Sequence, residues 1–217
     1  MQAAAFQNPS LIRGVWRGRE RAIQTTEPTG WTALNSHLPG DGWPVGSVTE
    51  LICDRTGIGE FGLLMPLVAR LTNAGKRVAF VAPPYLPYAH GLAGHGVKLG
   101  RVVLLSPESP DEALWAAEQT LRSSSFGLVA VWPKAVSDRD LRRLQLAAET
   151  GGAVAVLYRP RSAASQHSTA ALRIAVSSSE MGLKLEILKN RGGSPSELSL
   201  PLLNDSTRFR KTGAGWA

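Results

Sequence analysis

From Trp31 onward, short runs of β-branched and apolar residues alternate with longer stretches of helical period, and this pattern restricts the accessible folds most strongly. A strand buried on both faces reads as a continuous apolar run, and a parallel neighbour has to be reached through a crossover helix. The alternation therefore predicts an α/β fold: a mostly parallel, twisted sheet flanked by helices. Strands are expected at Ser47–Ile52, Arg77–Ala82, Arg101–Leu105, Leu128–Trp132 and Ala153–Tyr158, and helices at about Glu60–Asn73, Asp111–Ser123 and Asp138–Thr150. Ser137 precedes Asp138 and the apolar series Leu141, Leu144 and Leu146, so it is the expected N-cap, and Gly151 and Gly152 close that helix. Ala171–Val176 and Leu183–Lys189, separated by SSSEMG, read as an antiparallel C-terminal extension of the sheet.

A chain of 217 residues with 43% hydrophobic residues has material for one substantial core. The expected organisation is a mobile basic segment over Met1–Gly30, one domain over Trp31–Leu203, and a flexible tail over Asn204–Ala217. The single cysteine, Cys53, ends an apolar strand and reads as a reduced packing residue. No apolar run is long enough to cross a bilayer, and the first fifteen residues lack a signal-peptide pattern, so a cytoplasmic protein without membrane contact is expected. The formal charge of +7 and pI near 10.1 favour an acidic partner such as nucleic acid, though a basic surface also serves solubility alone.

The first strand–turn–helix unit, VTELICDRTGIGEFGLLMPLVARL over Val48–Leu71, has the setting of a loop that cradles nucleoside-triphosphate phosphates. The residues that carry that chemistry are missing. Cys53 stands where the first glycine belongs, and Gly57 lies inside the turn. With one inserted residue Gly59 takes the second glycine position, leaving Glu60 for the lysine and Phe61 for the hydroxyl residue. Without the insertion, Ile58, Gly59 and Glu60 fall on those three positions. A lysine–phosphate pair at 4 Å contributes about 1 kcal/mol in water and about 4 kcal/mol at an effective dielectric of 20, and a glutamate reverses its sign. Losing the hydroxyl also removes a magnesium ligand. A degenerate phosphate loop, no cofactor, no metal and no catalytic residue are expected; an ATPase relying on Arg55 for the missing charge is the enzyme alternative.

Other constellations bear on contacts. Leu11, Val15 and Trp16 would share one helical face of LIRGVWRGRERA, with Arg13, Arg17 and Arg21 around it, a pattern that suits docking on another protein or packing on its own domain. RPRSAASQHSTA, Arg159–Ala170, carries Arg159, Arg161 and His167 but no aromatic for base stacking; with Arg142 and Arg143 it suits either non-specific nucleic-acid contact or a polar linker. The spacing of His37, His90, His95 and His167 matches no metal signature, and Trp115 and Trp132 read as core residues.

Three stretches taken together resemble a known family. WTALNSHLPGDGWPVGSVTEL, Trp31–Leu51, is similar to the entry into the RecA core. GVKLGRVVLLSPESPDEALWAAEQTLRSSSFGLVAVW, Gly96–Trp132, resembles the RecA stretch from the third strand to the strand that ends in an acidic metal-binding residue. LKLEILKNR, Leu183–Arg191, resembles a later RecA strand. The order of these motifs over Trp31–Leu203 is similar to the RecA-like ImuA family of translesion-synthesis accessory proteins.

The resemblance implies a RecA-like core in which Trp132 replaces the magnesium-holding aspartate and Pro84 the water-activating glutamate. It implies that Lys189, Asn190 and Arg191 match a motif that reaches a neighbouring protomer, and that Arg159–Ala170 lies where RecA has a mobile DNA-binding loop. The implied function is non-catalytic: an accessory role in SOS-induced translesion synthesis, in contact with an ImuB-like protein, an error-prone DNA polymerase III alpha-type subunit and, as a further partner, RecA itself. A cell-division inhibitor resembling SulA, acting on FtsZ, is the alternative.

Overall fold

The structure, a computed structural model, describes residues 25–180 and 182–201. In chain order its elements are β1 (Thr26–Glu27), α1 (Thr32–Asn35), β2 (Trp43–Pro44), β3 (Ser47–Cys53), α2 (Met65–Asn73), β4 (Arg77–Val81), α3 (Ala89–Gly94), β5 (Val102–Leu105), α4 (Pro110–Arg122), β6 (Phe126–Val131), α5 (Asp138–Gly151), β7 (Val154–Pro160), β8 (Leu172–Ser179), β9 (Gly182–Asn190) and β10 (Ser196–Pro201). Strands β3 to β10 form one sheet in the order β10-β9-β8-β3-β7-β6-β4-β5. The six strands from β8 to β5 in that order are parallel, and β9 and β10 are antiparallel. The expected parallel sheet with an antiparallel extension is present.

Strand alternation divides the core between two faces. Leu51, Phe80, Leu128 and Val156 pack against Leu63, Leu64, Leu67 and Leu71 on one side. Val48, Ala79, Val129 and Ala155 meet Ala117, Leu121, Leu141 and Leu144 of α4 and α5 on the other. The start of α5 is held by a capping box: the Ser137 hydroxyl accepts from the Asp140 amide, and the Asp140 carboxylate accepts from the Ser137 amide. Gly152 ends it in the left-handed conformation at φ 65°.

Four expectations change. The helix expected from Glu60 opens as a 3-10 turn, Glu60–Leu64, and turns α-helical only at Met65, because Pro66 has no N–H to continue the ladder backward. The boundary expected after Gly30 moves toward the N-terminus: Thr26 and Glu27 pair with Pro44 and Trp43, and Thr29 is buried. Trp115 is 59% exposed instead of packed in the core; it lies two residues from Ala113 and from Ala117, and residues so spaced do not share a helical face. β10, too polar in its alternation to stand out, adds an eighth strand through its pairing with β9.

Candidate functional site

In an open parallel sheet the loops that follow the strands meet at their carboxyl ends, where ligand sites form. Here the segments after β3, β4 and β6 converge on an open groove of about 340 Å³. Its walls include Thr56, Gly57, Glu60 and Phe61 from the first loop, Pro83–Pro87 from the second, and Trp132 from the third. The floor is aromatic. Trp132 stacks on Tyr158 with ring centroids 4.4 Å apart and planes 2° from parallel. Phe61 meets Phe80 edge-on at 5.1 Å and Trp132 at 5.9 Å.

The loop that precedes this floor is closed on itself. Gly59 sits at φ 99°, which turns the chain sharply before the 3-10 turn. The Glu60 carboxylate, buried, accepts hydrogen bonds from the Gly57 amide at 3.0 Å and the Ile58 amide at 2.9 Å. An internal anion thus occupies donors of the kind an external anion would use. Cys53 follows the same logic of burial: removal from water first, then the nearby Glu60 and Asp54 charges, push its thiol from 9.0 up to about 12. It is a buried, protonated packing group at neutral pH.

Past β4 the backbone is strained. Ala82, immediately before Pro83, has φ 51°, a conformation that costs a side-chain-bearing residue about 1–2 kcal/mol. That kink throws the following segment outward, leaving Tyr85 73%, Leu86 81% and Tyr88 72% exposed. The sequence signal for this exposed segment is the run PPYLPY, two tyrosines and a leucine set among prolines, of which the sequence reading uses Pro84 alone.

The structure separates the other candidate residues. Arg159 is 8% exposed, with Nη1 donating to Glu50 Oε1 at 2.7 Å and Nη2 to Gln166 Oε1 at 2.8 Å, so it is not offered to a nucleic-acid backbone as expected. The loop after β7 is likewise tied down, because Arg173 donates to the carbonyls of Ala163 and Ala164. Arg161 is exposed, between Asp54 at 3.6 Å and Glu186 at 4.0 Å. Arg142 is exposed, and Arg143 pairs with Glu118 of α4.

Lys189 and Asn190 end β9, opposite Arg173 and Leu172 at the start of β8, and Arg191 begins the turn that follows, which places them at the far end of the sheet from the groove. Lys189 Nζ donates to the Ser168 carbonyl at 2.8 Å and Asn190 Nδ2 to the His37 carbonyl at 3.0 Å; only Arg191 of the three is exposed. Leu11, Val15, Trp16 and Arg17 lie outside the described residues. Among the described residues no cluster of three metal-ligating side chains occurs, and no helix is long and apolar enough to cross a membrane.

Curated relatives of two kinds match the chain. The cell division inhibitor SulA of Photorhabdus laumondii is 28% identical over 51% of this chain and 63% of its own length, and that of Serratia marcescens is 26% identical over 54% and 69%. Protein RecA of Streptomyces avermitilis is 32% identical over 54% of this chain, but over only 31% of its own length. These relatives support a SulA/RecA-like superfamily. The chain spans somewhat under two thirds of the Photorhabdus SulA and about a third of the RecA proteins it matches. Among solved structures, SulA from Pseudomonas aeruginosa gives a TM-score of 0.45 at 24% identity, covering 52% of this chain and 97% of that one. No protein-family model matches.

Proposed function

We propose that this chain is a non-catalytic accessory protein of SOS-induced translesion DNA synthesis that works by protein contact. One observation carries the non-catalytic part: the Glu60 carboxylate already sits on the Gly57 and Ile58 amides, so triphosphate oxygens would meet a negative charge where they need donors. The loop is in this reading a degenerate phosphate-binding loop of a RecA-like core. The groove beside it, floored by Trp132 and rimmed by Tyr85 and Leu86, has the mixed aromatic and apolar character of protein interfaces. The partners are an ImuB-like protein and an error-prone polymerase III alpha-type subunit, with the segment around Leu11, Val15, Trp16 and Arg17 as a second docking element. Kinship to both SulA and RecA within one chain supports this reading, as do the RecA-type lead-in before Val48 and the long β9.

Co-purification of the full chain with an ImuB-type protein tests it. Capture is expected with the intact chain and reduced capture after deletion of Leu11–Ala22; no capture by the intact chain removes the proposal. A second reading, inhibition of cell division through FtsZ, is favoured by the SulA relatives. Block of FtsZ polymerisation by the purified chain, without capture of an ImuB-type protein, would put that reading first.

A further inference from the structure

Glu50 of β3 is wholly buried and faces two arginines, Arg159 through Nη1 at 2.7 Å and Arg173 through Nε at 2.6 Å. One carboxylate against two guanidinium groups leaves a net positive charge inside the protein, which is costly without a counter-charge. Lys189 adds to the excess: it stands across the β8–β9 pair from Arg173, and its ammonium is turned to the Ser168 carbonyl at 2.8 Å. Burial, then the charges of Arg191 and Arg173, lower the Lys189 pKa, and only Glu50 acts in the opposite direction. The nearby carboxylates Asp54 and Glu186 face the exposed Arg161.

Of this cluster Arg159 lines a cavity of about 200 Å³, between the Pro133–Val136 segment after β6 and the 3-10 turn Arg161–Ser165 after β7, while Arg173 and Lys189 lie outside its lining. Lys134, Arg159, Ser162 and Gln166 supply polar groups to its lining, and no carboxylate lines it. Arg159 has five N–H donors, of which Glu50 and Gln166 engage two nitrogens.

We propose that this pocket binds the carboxylate of an acidic side chain presented by a protein partner, with Arg159 at its base and Lys134 at its mouth. A side-chain carboxylate is slim enough to reach a guanidinium that is only 8% exposed, and it matches the planar fork geometry. A phosphodiester carries a sugar on each side and is held off by the pocket walls, and no aromatic residue lines the pocket to receive a base. The proposal rests on the reading of the chain as a protein-contact module and assigns chemistry to one of its contacts.

The test is an amide NMR titration of the full chain with a blocked tetraglutamate peptide, run in parallel with inorganic phosphate and with an oligothymidylate. The peptide is expected to shift the amides of Lys134, Ser162 and Gln166 saturably. Gln166→Glu, an exposed change that sets an internal carboxylate against Arg159, is expected to weaken peptide binding by at least about tenfold. Lys134→Glu is expected to weaken it as well. Absence of shifts at these amides, undiminished binding by Gln166→Glu, or saturation by phosphate or oligothymidylate but not by the peptide overturns the proposal. The peptide arm needs no natural partner, so it fails independently of the co-purification test above.

Discussion

Glu50 and Arg173 stand directly opposite one another on adjacent parallel strands, joined at 2.6 Å, and the same carboxylate holds Arg159 on its other side. Arg173 in turn grips the carbonyls of Ala163 and Ala164, so one buried acid organises both the centre of the sheet and the loop that covers it. Glu50→Ala would leave two buried guanidinium groups facing each other. A loss of about 3–5 kcal/mol is expected, measured by urea denaturation, with faster amide exchange over Arg161–Ser168. A change below 1 kcal/mol would mean that water replaces the carboxylate at no cost.

The anion seat occupied by Glu60 makes a second prediction. Glu60→Ala bares the Gly57 and Ile58 amides and is expected to cost about 1–3 kcal/mol. Sulfate should restore part of that loss in the variant and give no comparable gain in the native chain. Calorimetry with magnesium-ATP should show no micromolar binding to the native protein, and heat of binding in that range would return the chain to the ATPases.

Leu86 is expected to separate docking from folding. It is 81% exposed at the groove rim, so Leu86→Asp should leave the melting temperature within a degree or two, since such surface changes are usually within about 0.5 kcal/mol. Capture of the protein partner should fall by at least about tenfold, the effect of an interface anchor. Equal capture by the variant would move the interface away from the groove.

Cys53 should shape the alkaline limb of the stability profile. Its thiol is raised from 9.0 to about 12, so the folded chain holds a proton that the unfolded chain releases. The stabilisation is complete below pH 9 and is lost as pH climbs toward 12, at about 1.4 kcal/mol per pH unit. Tyr158, raised by burial first and then by Cys53 and Glu60, acts in the same direction. Urea midpoints taken between pH 8 and 10.5 should fall less steeply for Cys53→Ala than for the native chain, and parallel slopes would exclude a titrating Cys53.

How far the primary structure could be read depended on the range of the forces involved. The order of strands and helices from Ser47 to Asn190, apart from the short α3, together with the Ser137 cap and the left-handed Gly152, follows from neighbours a few residues apart, whose backbone preferences and hydrophobic period are written locally. That no lysine lies between Cys53 and Leu71 is equally plain from the order of residues.

The fate of individual charges was settled by the tertiary structure. The polar segment around Arg159 reads as surface, yet its partner Glu50 lies 109 residues away and meets it only once β3 and β7 pair in register. Trp132 reads locally as an ordinary core residue, but β7 places Tyr158 beneath it and the segment after β4 leaves a groove above. Local sequence specifies conformation because backbone propensities act over a few residues. Burial and electrostatic partnership emerge only when distant strands are placed side by side.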